Sequence, residues 1–243
     1  MRNARICRAS SVRIDMRDVN LVLIGPPGSG KGTQAARISA RYGVPAISTG
    51  DILRAAVKAK SPLGRQVEAI MAAGDLVGDD LMIDLVRERL SAPDVTSGFI
   101  LDGFPRTVVQ ANALDAMIDG RPLMALVLAV PEAEVARRLS SRRICAGCKT
   151  LYTGGTTYGS ELELCSRCGG VLITRPDDND VTIARRLLQY RQASEPVIGH
   201  YQTHGVVVTV DGSRGVDDVS ADVFRATDGF RDGNGPVVPS AAG

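Results

Sequence analysis

Gly25-Pro26-Pro27-Gly28-Ser29-Gly30-Lys31-Gly32-Thr33 separates an apolar run, Val19–Ile24, from a segment of helical periodicity, Lys31–Tyr42. A buried strand, a glycine-rich turn and a helix start, in that order, are what a phosphate-binding loop requires. The glycines let the backbone wind closely around phosphate oxygens. The turned N–H groups make an anion nest, to which the helix N-terminus adds partial positive charge. Lys31 supplies a mobile cation for β- and γ-phosphates, and Thr33 a hydroxyl near Mg²⁺. The loop departs from the strict motif in one respect: Gly32 follows the lysine, and the hydroxyl comes one residue later.

Outward from this loop, apolar runs alternate with helical segments. The runs are Val19–Ile24 and residues 44–47, 99–101, 123–130 and 206–210. Runs of this length with little polar alternation suit strands buried on both faces. Between them lie helical patterns over Lys31–Tyr42, 51–73 (broken at Pro62), Asp79–Leu90, Val108–Ile118, 131–143 and 180–203. Strand–helix alternation predicts an α/β fold: a parallel five-stranded sheet with helices on both faces, and ligands at the carboxyl ends of its strands. Residues 144–174 break the pattern. They are rich in Gly and Cys, lack helical periodicity, and read as a small insert.

Composition narrows the field. The chain has 243 residues, 44% hydrophobic and 23% charged, with a net charge of +2. That length buries a sizeable core, and the charge is too near neutral to argue for nucleic acid or a membrane surface. No stretch approaches the ~20 apolar residues of a transmembrane helix. Trp is absent and aromatics are scarce, which disfavours a base-stacking surface. Residues 1–17 are rich in Arg and contain Ser. They read as a disordered extension ahead of the first strand, although a transit peptide has a similar composition. Residues 229–243, rich in Gly, Pro and Ala, read as a flexible tail.

Four of the five cysteines form two C-x-x-C pairs, Cys145/Cys148 and Cys165/Cys168, separated by 16 residues. This is a strong zinc signature. Each pair presents two thiolates, and two pairs complete a tetrahedral shell with no open position, so the metal is expected to be structural. Cys7 stands outside the set. The odd cysteine count argues against a secreted disulfide framework, and a cytoplasmic monomer is the expectation.

The form of the loop, with Gly after Lys, resembles that of the nucleoside monophosphate kinases. Three further segments extend the resemblance, specifically to adenylate kinases. Ile47-Ser48-Thr49-Gly50-Asp51-Ile52-Leu53-Arg54 looks like the segment that holds the acceptor nucleotide. Leu101-Asp102-Gly103-Phe104-Pro105-Arg106 looks like the signature after the third strand. Thr174-Arg175-Pro176-Asp177-Asp178 followed by Arg186 looks like the lid-closing segment. Some bacterial members carry a four-cysteine lid at this position. The resemblance runs from about residue 19 to about residue 219. It implies a core over 18–143, with AMP-binding helices at about 48–77, a zinc-binding lid at 144–174, and the rest of the core at 175–228. The implied reaction is reversible phosphoryl transfer from Mg-bound ATP to AMP, giving two ADP.

The resemblance also implies roles. Lys31, Arg106, Arg142, Arg175 and Arg186 would be catalytic. ATP would lie on Gly28, Ser29, Gly30, Lys31, Gly32, Thr33, Arg138, Arg142, Leu151, Tyr152 and Arg214. AMP would lie on Thr49, Arg54, Asp75, Leu76, Val77, Gly103, Phe104, Pro105, Arg106, Gln110, Arg175 and Arg186. The chemistry agrees, because phosphoryl transfer needs positioning and positive charge more than covalent help, and arginines suit phosphate oxygens. Asp102, ending a buried strand opposite the phosphate loop, can hold Mg²⁺ through water. Gln110 can both donate to and accept from an adenine edge. Asp177 and Asp178 could clamp the lid arginines, whereas Arg137, Arg143 and Arg185 read as surface residues. Gly78, Val109 and the absence of His after Tyr152 depart from the family pattern. Two other readings remain open at this point. One is a kinase for another nucleoside monophosphate, or one with GTP as donor. The other is a P-loop NTPase with a nucleic-acid-binding zinc ribbon, which the near-balanced charge of the insert disfavours.

Overall fold

The computed structural model describes residues 19–148, 150–152, 164–175 and 178–234. The readings of 1–17 as an extension and of 235–243 within the tail fall outside these residues, as do Asp177 and the middle of the insert. The first residues read as tail, 229–234, are helical instead, because Phe230 is buried against the apolar core. Five parallel strands form the main sheet: β1 (Val19–Ile24), β2 (Ala46–Ser48), β3 (Gly98–Asp102), β4 (Met124–Ala129) and β8 (Val207–Asp211), in the order β2-β3-β1-β4-β8. The phosphate loop therefore leaves the central strand. The loops after β2 and β3 open at the same end of the sheet, because every strand points that way.

Side chains alternate across the sheet. Val22, Ile24, Phe99, Leu101, Ala125 and Val127 enter one core, and Leu21, Leu23, Ile100, Met124, Leu126 and Leu128 enter the other. Both faces are thus covered, which is why the strands read as continuous apolar runs. The first core is closed by α2 (Thr49–Lys58), α3 (Pro62–Ala73), α4 (Asp79–Leu90), α5 (Val108–Ile118) and α8 (Glu195–Thr203). The second is closed by α1 (Lys31–Tyr42) and α9 (Val216–Gly229). The break expected at Pro62 is a helix start. Ser61 caps α3 by accepting from the Gly64 N–H at 3.0 Å, and Pro62 occupies the first turn, where its missing N–H costs nothing.

Two helical expectations change. The pattern over 131–143 yields a shorter α6 (Glu132–Ser140), and Arg143 begins a strand of the insert instead. The pattern over 180–203 divides into α7 (Asp180–Gln189), a π-helical stretch at Tyr190–Ser194, and α8. Pro196 has no N–H to give to the carbonyl four residues back, and the wider turn absorbs the defect. The described residues of the insert hold three short strands that its sequence did not announce. β5 (Arg143–Cys145) pairs antiparallel with β6 (Leu151–Tyr152) and with β7 (Leu172–Ile173).

Candidate active site

The turn after β1 owes its shape to glycine. Gly30, at φ +98°, caps α1 in the left-handed region, where a side chain would be strained. Gln34 donates its N–H back to Gly30 O at 3.0 Å, so α1 starts cleanly and its first N–H groups are left facing the cleft. Lys31 folds over the loop. Its Nζ donates to Gly25 O at 2.7 Å and Pro26 O at 2.9 Å. Burial pulls its pKa down from the usual 10.5 to about 8. Asp102 opposes that fall, and Arg106, Arg186 and Arg142 add to it.

A cleft of about 480 Å³ opens above this loop. Gly28, Ser29, Gly30, Lys31, Gly32 and Thr33 line it, together with Arg138, Arg142, Leu151, Arg214, Arg175 and Pro105. Arg138, Arg142, Arg186 and Arg214 are each aimed by a neighbour. Arg138 donates to Glu134 Oε1 at 2.7 Å and to Ser213 O at 3.0 Å. Arg214 pairs with Asp222. Arg142 grips Asp178 with two parallel hydrogen bonds, and Arg186 reaches the same carboxylate at 3.1 Å. Asp178 has no exposed side-chain surface, so one buried carboxylate holds two cationic side chains. Asp102 Oδ2 faces the loop: a Cβ on Gly32 would lie 3.5 Å from it.

A second cavity, of about 70 Å³, adjoins the first. Thr49, Arg54, Asp75, Leu76, Val77, Gly103, Arg106, Gln110 and Arg186 line it. Phe104 is fully buried and lines neither cavity, so it supports this wall from the core, and its bond to Pro105 is cis. Gly103, at φ +89°, allows a close approach, since a Cβ there would come within 2.8 Å of Thr49 Oγ1. Thr49 donates to Gly103 O at 3.0 Å, and Arg106 Nε donates to the same carbonyl at 2.9 Å. Arg54 is braced by Asp51 at 2.6 Å. Arg54, Arg106 and Arg186 line both cavities.

Tyr152 sits apart from the cleft. Its hydroxyl lies 3.2 Å from Cys165 Sγ and 3.0 Å from Ser166 Oγ, within the insert, while its neighbour Leu151 reaches the phosphate loop. Asp75 lines the second cavity but gives its carboxylate to Arg185, at 2.7 Å from Nη2. Arg185, read as a plain surface residue, is therefore the partner that fixes Asp75. Of the departures from the family pattern, Val109 points to solvent at 57% exposure and Gly78 faces open space, so neither crowds the cavity.

Sequence reasoning missed Asp79. Gln110 Oε1 accepts from the Arg106 N–H at 2.8 Å, and Gln110 Nε2 donates to Asp79 Oδ1 at 2.8 Å. A backbone N–H can only donate and a carboxylate can only accept, so both neighbours dictate one orientation of the amide. A spare N–H and a spare lone pair remain for a ligand. Asp79 opens α4, where an acidic residue is ordinary on helix-dipole grounds, and nothing in the sequence marks it as a partner of Gln110.

In the insert, Cys145 and Cys168 Sγ lie 3.4 Å apart, as do Cys148 and Cys165 Sγ, and all four sulfurs fall within 4.8 Å of one another. No disulfide joins them. Tetrahedral zinc with Zn–S of ~2.3 Å separates its sulfurs by ~3.8 Å, so this cluster fits such an ion with small adjustments.

The family model described as adenylate kinase matches residues 23–206. An adenylate kinase of Kosmotoga olearia is 46% identical over 210 residues, covering 85% of this chain and 98% of that protein. One of Thermodesulfovibrio yellowstonii is 46% identical, over 83% of this chain and 95% of its own length. One of Archaeoglobus fulgidus is 44% identical, over 83% and 94%. Matches that span nearly the whole of each relative, over a chain whose glycine-rich loop and adjoining cavity share three arginines, establish that this chain belongs to the adenylate kinase family.

Proposed function

We infer that the chain catalyses ATP + AMP ⇌ 2 ADP. The observation that carries this reading is the pair of adjoining cavities. One lies over the phosphate loop, the other beside Thr49 and Gln110, and Arg54, Arg106 and Arg186 stand between them. Two nucleotides placed there would meet phosphate to phosphate. An oxygen of the AMP phosphate attacks the γ-phosphorus of ATP, the bond from that phosphorus to the β–γ bridging oxygen breaks, and the electron pair leaves on ADP. The AMP phosphate is already ionised at neutral pH, so no general base is needed. The protein's part is to orient the groups and to spread positive charge over the transferring oxygens.

In this reading Lys31 turns from the loop carbonyls to the β- and γ-phosphates. Arg142, Arg175 and Arg186 converge on the transferring group, and Arg54 and Arg106 hold the acceptor phosphate. Arg138 and Arg214 lie along the donor nucleotide, with Leu151 over it. Thr49 and Gln110 select adenine, with Val77 lining the same cavity. Mg²⁺ accompanies ATP in kinases of this family; bound here it would be held by Asp102 and the Thr33 hydroxyl and would neutralise charge on the phosphate oxygens. Four cysteines on one centre, a full tetrahedral set that would leave no coordination position for substrate, support a structural zinc ion that staples the insert. No described helix is long and apolar enough to cross a membrane. The molecule acts on free nucleotides as a cytoplasmic monomer in this proposal.

The test is a phosphoryl-transfer assay with ATP against AMP, GMP, CMP and UMP. ATP consumption should depend on AMP, with ADP formed in twofold yield. Equal consumption without any monophosphate would overturn the reading in favour of a one-substrate NTPase.

A further inference from the structure

The chain contains two histidines, His200 and His204. They are four residues apart, on α8 and at its C-cap, so helical geometry sets them on one face. The face they share packs against α5, which presents Asp115. His200 Nε2 lies 2.7 Å from Asp115 Oδ2, and the two imidazole rings stand edge to face with centroids 4.8 Å apart. One donor atom from each of the three side chains lies within 4.8 Å of the others. The side chains of His200 and Asp115 are only 13% and 15% exposed, yet the cluster is not sealed.

The hydrogen bonding of this group is incomplete. Asp115 Oδ1 and His204 Nδ1 are both buried, and neither has a hydrogen-bond partner. Buried polar atoms of this kind are costly to leave unmatched. A hydrogen-bonded staple between α5 and α8 needs only His200 and Asp115, and accounts for neither orphan. Two imidazoles and a carboxylate on one centre are the donors that bind borderline divalent ions such as Zn²⁺, Co²⁺, Ni²⁺ or Cu²⁺. Hard ions such as Mg²⁺ prefer oxygen donors and would not choose this set.

We propose that Asp115, His200 and His204 form a binding site for a divalent transition-metal ion, separate from the cysteine cluster of the insert. Three protein ligands leave a coordination position for water. Bound there, the ion cross-links α5 to α8 on the side of the sheet that carries the acceptor cavity. The first turn of α5 holds Gln110, so the cross-link reaches the element that positions this side chain.

Co²⁺ titration of the full chain tests the site, because the two kinds of donor give different spectra. Cobalt on thiolates produces intense near-ultraviolet charge-transfer absorption, whereas cobalt on imidazole and carboxylate produces weak visible bands alone. The expected result is one saturable equivalent per chain with visible bands and no accompanying thiolate absorption. His204→Gln leaves the His200–Asp115 bond in place and should weaken this binding about tenfold or more, since even outer-sphere losses cost that much. His200→Gln with His204→Gln should abolish it, with any thiolate signal unchanged. Failure to saturate, or equal affinity in His204→Gln, would overturn the site and leave the three side chains as a packing contact.

Discussion

Lys31 is the residue on which the chemistry is most exposed to pH. Its folded pKa of about 8 lies below the usual 10.5. Below about pH 8 the ammonium is charged in both folded and unfolded chains, and its burial weighs against folding in full. That penalty is relieved as pH rises from about 8 towards 10.5. Phosphates beside Lys31 should restore the proton. ATP binding above pH 8 is therefore expected to take up a proton, and affinity should fall across that range. Calorimetry in buffers of different ionisation enthalpy measures the uptake, which should vanish in Lys31→Met. Lys31→Ala should lower turnover by roughly 10²-fold or more, the scale of one lost electrostatic stabiliser, without lowering the melting temperature.

At the same scale, Gln110 and Asp79 make a pair. Gln110→Ala should cut discrimination for AMP over UMP and CMP by about 1–3 kcal/mol, the worth of a good base-edge contact. Asp79→Ala frees one end of the amide and should raise KM for AMP about tenfold, the scale of one hydrogen bond to a charged group, with little change in kcat. Steady-state kinetics with AMP and IMP decide the matter. Unchanged AMP parameters in Asp79→Ala would mean that the Arg106 N–H suffices to orient Gln110. Gln110 was legible from its place after Phe104-Pro105-Arg106. Asp79 was not, because its partner lies 31 residues away and the pairing exists only once α4 and α5 are packed together.

At the scale of elements, the insert is tied at its root. Arg142 follows α6 and Asp178 precedes α7, so their paired hydrogen bonds clasp the two stems of the insert just where they leave the core. Asp178→Ala would strand a buried guanidinium and should cost about 3–5 kcal/mol, read as a lower denaturant midpoint. Turnover should fall too, since Arg142 and Arg186 lose their common anchor. Farther out, the insert has a small apolar cluster of Leu172 and Tyr152 around the cysteines. Much of its folding free energy should therefore come from metal. Chelation or Cys165→Ser should lower thermal stability and slow turnover less than Lys31→Ala does. A fully active chain free of bound transition metal would refute the staple. The cysteine spacing announced this cluster. The three short strands around it escaped notice because each has only two or three residues, too few to show a period.

For the whole molecule, the alternation of apolar runs and helical patterns was enough to expect a parallel sheet with both faces covered. It could not supply the strand order, since β2-β3-β1-β4-β8 depends on contacts between runs distant in sequence. The helix over Val108–Ile118 has the bounds its periodicity gave it, whereas the break read at Pro62 is the start of α3, because Ser61 and Pro62 together open a helix as readily as they end one. The single long pattern over 180–203 failed at Pro196, where periodicity persists but a donor is missing.

The gathering of Lys31, Arg54, Arg106, Arg142, Arg175 and Arg186 on one cleft, with Asp102 as the acid that faces the phosphate loop, has a practical corollary for the bench. Such a concentration of one sign behaves as an ion exchanger of molecular size, and self-repulsion makes it avid for whatever oxyanion the solvent contains. Inorganic phosphate and sulfate should raise the melting temperature of the nucleotide-free enzyme in a saturable manner, and chloride at equal ionic strength should not, because general screening treats the salts alike. The same oxyanions should compete with both nucleotides. Apparent Michaelis constants would then be properties of the buffer as well as of the protein, and values gathered in phosphate should exceed those gathered in an organic zwitterion.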